Sequence, residues 1–208
     1  MKCTFLFIVT VFILFSCRKK AEERIRLSDV TNESDYKMTV QKKVSDTVVI
    51  VKGENARYIL KGYKDIKHNE KVGWWKLEDK KNNYRYEIEY IPGQKKENQC
   101  QVYKNGKLIN QLSQYYDVLY RDNSYHFKFY FPQYYSYESV YVEFRYEDPN
   151  TFTRKTIKCK KENDYYICSV PVKNKDQLII GTAIEFGSIK QRNGNILLSA
   201  RTMLVYSK

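Results

Sequence analysis

Strict alternation of apolar and charged residues constrains this chain more than any other feature. Tyr84, Tyr86, Ile88 and Tyr90 alternate with Arg85, Glu87 and Glu89, so an extended strand puts one set on each face, whereas a helix would scatter both sets around its axis. The same period of two returns in Tyr125, Phe127, Phe129 and Phe131, and again in Val140, Val142, Phe144 and Tyr146. Turn formers separate the runs: Pro92 with Gly93, Asn105 with Gly106, Asp148 to Asn150, and Asn193 with Gly194. Beyond the first residues no segment sustains a helical period. The expected class is all-β.

The stretch from Asp117 to Asn123 divides the strands into two modules, 36–118 and 119–208. In the first, Gly62 precedes Tyr63, Gly73 precedes Trp74 and Trp75, and Tyr103, Lys104, Asn105, Gly106 and Lys107 form an aromatic segment with a hairpin turn. This recurrence of glycine followed by aromatics resembles the MORN-type repeats, which build antiparallel β-meanders. The resemblance implies a binding or scaffolding surface and makes Trp74 and Trp75 candidate contact residues; packing of a small sheet is the competing role for both. In the second module, short strands are expected at 125–131, 139–146, 152–160, 165–170, 177–186 and 195–206. That number and spacing suggest an immunoglobulin-like β-sandwich.

Within the second module, 157–170 reads as a hairpin with Asn163 and Asp164 as its two turn residues, which sets Glu162 opposite Tyr165 and Cys159 opposite Cys168. Counting from the turn places the cysteines at a non-hydrogen-bonded pair, where opposed side chains come closest. A disulfide is feasible there, with two reduced buried cysteines as the alternative. Cys100 is left over and is expected to be a small buried side chain. Cysteines nine apart and two histidines make no zinc pattern, so no metal and no cofactor are expected.

The beginning of the chain has a different character. Lys2 is followed by an apolar run from Phe5 to Phe15, then Ser16, Cys17, Arg18, Lys19 and Lys20. A spanning helix needs about 20 apolar residues; this run is shorter and ends in cations, which is the layout of an export signal. Leu14, Phe15, Ser16 and Cys17 resemble the lipobox of bacterial lipoproteins, with an aliphatic residue three positions before the cysteine and a small one next to it. The resemblance implies that 1–16 is a signal peptide, that Cys17 becomes the N-terminus carrying a diacylglycerol, and that the protein is lipid-anchored in the cell envelope. Two acyl chains suffice for stable anchoring where one does not. The polar, charged residues 17–35 are expected to be a flexible tether.

Removing 1–16 takes away one lysine from 37 basic residues, against 24 acidic ones, so the mature chain stays strongly cationic. Excess positive charge suggests anionic partners. Export makes phospholipid headgroups and anionic glycans the available ones, and no nucleic acid is expected. The cations are scattered, as they would be on the solvated faces of strands.

Residues for catalysis are sparse. Glu87 and Glu89 share a strand face, the crude geometry of a carboxylate pair, but Arg85 shares it too and makes an ion-paired surface the simpler reading. His68 and His126 have no nucleophile at a recognisable spacing, and Ser113, Ser124 and Ser136 lack the glycine-flanked elbow of a hydrolase. Tyrosine is the most distinctive residue type, at 20 positions. Its apolar ring and polar tip suit interfaces and sugar-stacking faces, and Tyr130, Tyr134, Tyr135 and Tyr137 are the candidates for an exposed patch. The expected protein is a non-enzymatic envelope module binding an envelope protein or glycan; the alternative is a carbohydrate-active or other hydrolytic enzyme.

The lipobox reading has a direct check. Cells fed a labelled fatty acid should incorporate it into the wild-type chain, and Cys17→Ala should abolish the label and release the protein from the membrane fraction.

Overall fold

Seven strands in succession, each pairing antiparallel with the one before it, make the first sheet of the computed structural model, which describes residues 26–133, 139–191 and 193–207. They are β1 (Lys37–Lys43), β2 (Val48–Glu54), β3 (Tyr58–Asp65), β4 (Glu70–Asp79), β5 (Tyr84–Tyr90), β6 (Glu97–Lys104) and the short β7 (Lys107–Leu108). The connections repeat one device. Ser45 Oγ accepts the N–H groups of Thr47 and Val48, Asn55 Oδ1 those of Arg57 and Tyr58, Asp65 Oδ1 those of Lys67 and His68, and Asp79 Oδ1 those of Lys81 and Asn82. A short polar side chain at the end of each strand thus satisfies the donors two and three residues ahead, which is what turns the chain back. The next hairpin uses Asn105 and Gly106, both left-handed.

Alternation decides which side chains this meander buries. Val49, Val51, Tyr58, Leu60, Trp75, Leu77, Tyr86, Ile88 and Val102 are all buried and lie on one face of their strands. Gly62 shows why glycine is placed before an aromatic here. A Cβ at this position would lie 2.2 Å from the Trp75 ring, so the missing side chain is the space the indole occupies. Trp75 is further fixed by its ring N–H, which donates to the Tyr63 carbonyl at 2.9 Å. Trp74, its neighbour in the strand, must point the other way and is 41% exposed.

The second module is a sandwich. One sheet has the order β12 (Lys160–Glu162), β13 (Tyr165–Pro171), β9 (Ser124–Tyr130), β8 (Tyr115–Arg121); the other has β11 (Arg154–Lys158), β10 (Ser139–Glu147), β14 (Ile180–Lys190), β15 (Ile196–Tyr206). Lettered in chain order, these are A-B-E-D facing C′-C-F-G, the immunoglobulin-like arrangement. Phe127 and Phe129 of β9 pack on Phe144 of β10 with ring centroids 4.8 and 5.3 Å away, and Val142, Val170, Ala183, Met203 and Val205 complete the core between the sheets. At Gly181 a Cβ would meet the Phe144 ring at 2.6 Å, so a glycine again makes room for an aromatic ring.

The details differ from the sequence reading in three places. Part of the expected tether is ordered: Leu27–Val30 is a single turn of helix (α1), and a 3-10 turn at Glu33–Asp35 brings Glu33 to 2.8 Å from Lys64. The first sheet gives way to the sandwich at about 109–114, ahead of Asp117, because 117–123 belongs to the β8–β9 hairpin, with Asp122 and Asn123 both left-handed in its turn. The stretch 152–160 is not one strand. Ile157 pairs with Phe144 in one sheet while Lys160 pairs with Ile167 in the other, so the chain crosses between sheets at Cys159, as sandwich corners do. Cys159 and Cys168 form a disulfide with a Cα–Cα distance of 4.9 Å, and Asn163 and Asp164 are the turn between Glu162 and Tyr165. Cys100 is free and buried, which pushes its thiol up to about 12.

Asp79 offers a test of the meander's turn chemistry. Besides the two turn N–H groups, its Oδ2 accepts from Arg57 Nε and Nη2 at 3.1 and 2.9 Å and from Asn82 Nδ2 at 3.1 Å. Burial pushes this carboxyl up, but the donors from Arg57, Lys81 and Asn82 outweigh it and hold it below the usual carboxylate range. Asp79→Ala strips an acceptor from a buried set of donors and should cost about 2–3 kcal/mol in denaturant unfolding at neutral pH. Because the folded group titrates lower than the unfolded one, its contribution is full above about pH 4 and fades as pH falls. The gap between wild type and variant should therefore narrow in acid.

Candidate functional site

The outer face of β4, β5 and β6 carries the residues that the sequence singled out for chemistry, in three cross-strand rows. Glu78, Arg85 and Tyr103 form one row, Lys76, Glu87 and Gln101 the next, and Trp74, Glu89 and Gln99 the third. The first two rows hold ion pairs and hydrogen bonds. Arg85 Nε lies 3.3 Å from Glu87 and its guanidinium sits 4.2 Å from the centre of the Tyr103 ring. The Tyr103 hydroxyl donates to Gln101 Oε1 at 2.7 Å, and Lys76 pairs with Glu78. Glu87 is a neutralised surface carboxylate.

Glu89 is different, because the sandwich covers the third row at Glu89 and Gln99, though not at Trp74. Glu89 is 4% exposed, and among the described residues it is in no ion pair. Three neutral groups donate to it instead: Asn98 Nδ2 and Gln99 Nε2 at 2.8 Å to Oε2, and the Tyr206 hydroxyl at 2.7 Å to Oε1. Burying a carboxylate is costly unless it is well supplied with donors, and bonds of this charge-assisted kind contribute about 1.5–3 kcal/mol each. Burial, then the bond to Glu89, hold the Tyr206 phenol above its ordinary range. Its proton stays on at any physiological pH.

Asn98 reaches Glu89 because the β5–β6 register slips at this point: Glu89 faces Gln99 whereas Tyr90 faces Glu97. Asn98 is the extra residue of a bulge, and a bulge re-aims a side chain. Its amide also accepts from Leu204 N–H at 2.6 Å and donates to Leu204 C=O at 3.0 Å, which reproduces the two bonds a neighbouring strand would make. Gln114 Nε2 donates to the Thr202 carbonyl at 3.3 Å, and the Tyr116 hydroxyl accepts from Tyr206 N–H at 3.2 Å. Strand β15 is the outer strand of its sheet, and side chains from the segment 98–116 cap the outward groups of its last third. Sequence spacing could not have found this cluster, since Asn98 and Leu204 are 106 positions apart.

The remaining candidates are placed as follows. His126 Nδ1 is 2.8 Å from Ser169 Oγ across the β9–β13 pair, a serine–histidine contact that spacing along the chain does not reveal. Among the described residues no acidic side chain orients the imidazole and its Nε2 has no partner, so there the pair is without the third member that makes such a pair nucleophilic. His68 lies in the β3–β4 turn beside Asp65. Trp75 is a core residue, and Trp74 is the half-exposed member of the pair. Tyr130 does not join an exposed patch: it is buried, with its ring stacked on Tyr115 at 4.3 Å and an interplanar angle of 2°. Tyr134, Tyr135, Tyr137 and Cys17 lie outside the described residues. A shallow cavity of about 480 Å³ on β1–β2, lined by Lys37, Thr39, Gln41, Lys52, Glu54, Asn55 and Ala56, contains none of the candidates. Glu87 and Glu89 share a face, with Glu87 partly exposed beside Arg85 and Glu89 enclosed.

No protein-family model and no curated protein sequence matches this chain. Among solved structures, it is similar to a crystal structure of the selenomethionine-substituted chicken interferon gamma receptor alpha chain, at 7% identity over 82% of this chain and 96% of that one, with a TM-score of 0.31. So low a score shows no common fold, and the immunoglobulin-like description stands on the strand order alone.

The cluster around Glu89 has the geometry of a clamp. Asn98→Ala removes both bonds to Leu204 and one donor to Glu89, and should raise the hydrogen-exchange rate of the Leu204 amide by at least about tenfold, since each 1.4 kcal/mol of local opening is a factor of ten. Exchange in the buried centre of β9 should stay as in wild type.

Proposed function

We propose that this chain is a lipid-anchored cell-envelope protein whose joined β modules bind an envelope protein partner without chemical turnover. The observation that carries the binding half of this reading is the far end of β15. The strand's last third is capped by side chains of the segment 98–116, whereas Ile196, Leu197 and Leu198 are 65%, 50% and 80% exposed on the outer strand of the sheet. Consecutive exposed aliphatic residues on an edge strand favour pairing with another chain, and folded proteins ordinarily blunt such edges with charge.

The anchoring half rests on the signal-like start of the chain. Among the described residues no helix is long and apolar enough to cross a membrane, and acyl chains on Cys17 would supply the hold in its place. The scattered excess of lysine suits a body held near anionic headgroups or glycans. A hydrolytic reading needs carboxylates free to exchange protons, and Glu87 and Glu89 are engaged as described.

Cross-linking in intact cells followed by capture of the tagged chain tests the binding reading. Leu198→Lys should remove the major cross-linked species by about tenfold or more, in line with the loss of a well-placed interface residue, while the melting temperature of the purified protein stays unchanged. An identical set of cross-linked species in wild type and variant would sink the β15 edge as the contact.

A further inference from the structure

Strand β3 ends at Asp65 and β4 begins at Glu70, and the register sets these two carboxylates directly opposite each other. Like charges so placed repel. In a chain carrying a formal charge of +13, lysines would be expected to neutralise them, yet neither carboxylate is in an ion pair with a lysine or arginine among the described residues. Lys64 is directed to Glu33 at 2.8 Å, and Lys71 lies over the rings of Trp75 and Tyr90 at 5.5 and 5.2 Å. Among the described residues Glu70 receives only the Gly93 N–H, at 3.3 Å.

The connecting turn folds an imidazole onto this pair. Asp65 Oδ1 is held by the N–H groups of Lys67 and His68 at 2.8 and 3.3 Å, Asn69 is left-handed, and His68 Nδ1 comes to 2.9 Å from Asp65 Oδ2. One ligand atom from each of Asp65, His68 and Glu70 lies within 4.8 Å of the others. Two donors bound to one ion at about 2.0–2.1 Å stand roughly 2.9–3.4 Å apart in octahedral or tetrahedral geometry, so Asp65 Oδ2 and His68 Nδ1 already have the separation of neighbouring ligands. Glu70 would complete the set by rotation of its own side chain at the exposed end of the hairpin.

We propose that Asp65, His68 and Glu70 form a binding site for a divalent first-row cation of the zinc class. One imidazole with two carboxylates is a donor set such ions accept, whereas calcium and magnesium take oxygen. The cation takes the place between His68 Nδ1 and Asp65 Oδ2, with Nδ1 as an unprotonated ligand nitrogen and the one proton of the neutral imidazole on Nε2. Both carboxylate charges are neutralised at the point where they oppose each other. Three ligands from six consecutive residues leave the remaining positions to water, open to the outside of the turn. Zinc patterns built on cysteine spacing do not include this combination, so a reading by cysteine spacing passes over it.

The full chain contains two histidines, which makes the experiment specific. Chelator-treated protein is titrated with Zn²⁺ alone, following heat by calorimetry and the imidazole nitrogens by NMR. Saturation at one equivalent, with the His68 ring signals moving and those of His126 unchanged, is the expected result. His68→Ala and Glu70→Gln should each weaken binding at least about tenfold, the usual scale for disturbing a metal's ligand shell, with the melting temperature of the metal-free protein unchanged. Absence of saturable binding, movement of His126 in place of His68, or wild-type affinity in both variants would overturn the site. Tight Ca²⁺ binding that survives His68→Ala would overturn the zinc-class assignment.

Discussion

The exposed edge of a sheet is an unsatisfied row of donors and acceptors, and the way this chain closes part of one such edge organises the unit from Glu33 to Lys208. Strand β15 has a neighbour on one side only. Side chains supply the other side over its last third: the Asn98 amide makes both bonds to Leu204, with Gln114 and Tyr116 serving Thr202 and Tyr206. An amide side chain has the donor and acceptor of a peptide group, so it can imitate a strand without adding one. The carboxylate of Glu89 holds that amide in place. Meander and sandwich are thereby joined through hydrogen bonds centred on the buried Glu89 and Asn98, and burial is where such bonds are strongest and their loss most costly.

This arrangement separates two carboxylates whose simpler reading in the sequence was one ion-paired surface. Glu87 and Glu89 do lie on one face, as alternation requires. What alternation cannot supply is the layer above that face. The Asn98 bulge brings β15 over the third row only, so Glu87 stays with Arg85 in partial solvent while Glu89 is enclosed by neutral donors. Two identical residues two positions apart thus take opposite roles, one a surface charge and the other a buried acceptor, because the edge of the neighbouring sheet falls between them.

Much of the fold was legible because period two is a local property. The runs at Tyr84 to Tyr90, Tyr125 to Phe131 and Val140 to Tyr146 are strands or begin and end within a residue or two of one, and Asn105 with Gly106 turns the chain as that dipeptide should. The misplaced module boundary has an equally local cause. Asp117 and the Asp122–Asn123 pair look like one long loop, but Tyr116, Val118 and Tyr120 alternate with Asp117, Leu119 and Arg121 and pack against the sandwich core. The repeated turn caps at Ser45, Asn55, Asp65 and Asp79 were also present to be read: each is a short polar residue two and three positions before the donors it serves. By contrast, the clamp, the His126–Ser169 contact and the choice of Trp75 over Trp74 as the core indole depend on residues brought together by tertiary structure, and Gly62 settles the last of these by leaving the space that Trp75 fills.

A sheet edge is either occupied, blunted or available, and β15 is treated differently along its length. Its end near Leu204 is occupied by the meander. Its beginning carries Ile196, Leu197 and Leu198, and lysine, the commonest blunting residue, is plentiful in the chain but absent from β15 itself, whose only cation, Arg201, pairs with Glu185 and donates to the Pro132 carbonyl. In a chain with 37 basic residues, the exposed end of this outer strand is apolar and carries no charge of its own. The meander is hydrogen-bonded to the other end through Asn98, so the two ends of one strand differ in kind: the first leaves its outward groups and aliphatic side chains open, the second has them answered from within the chain.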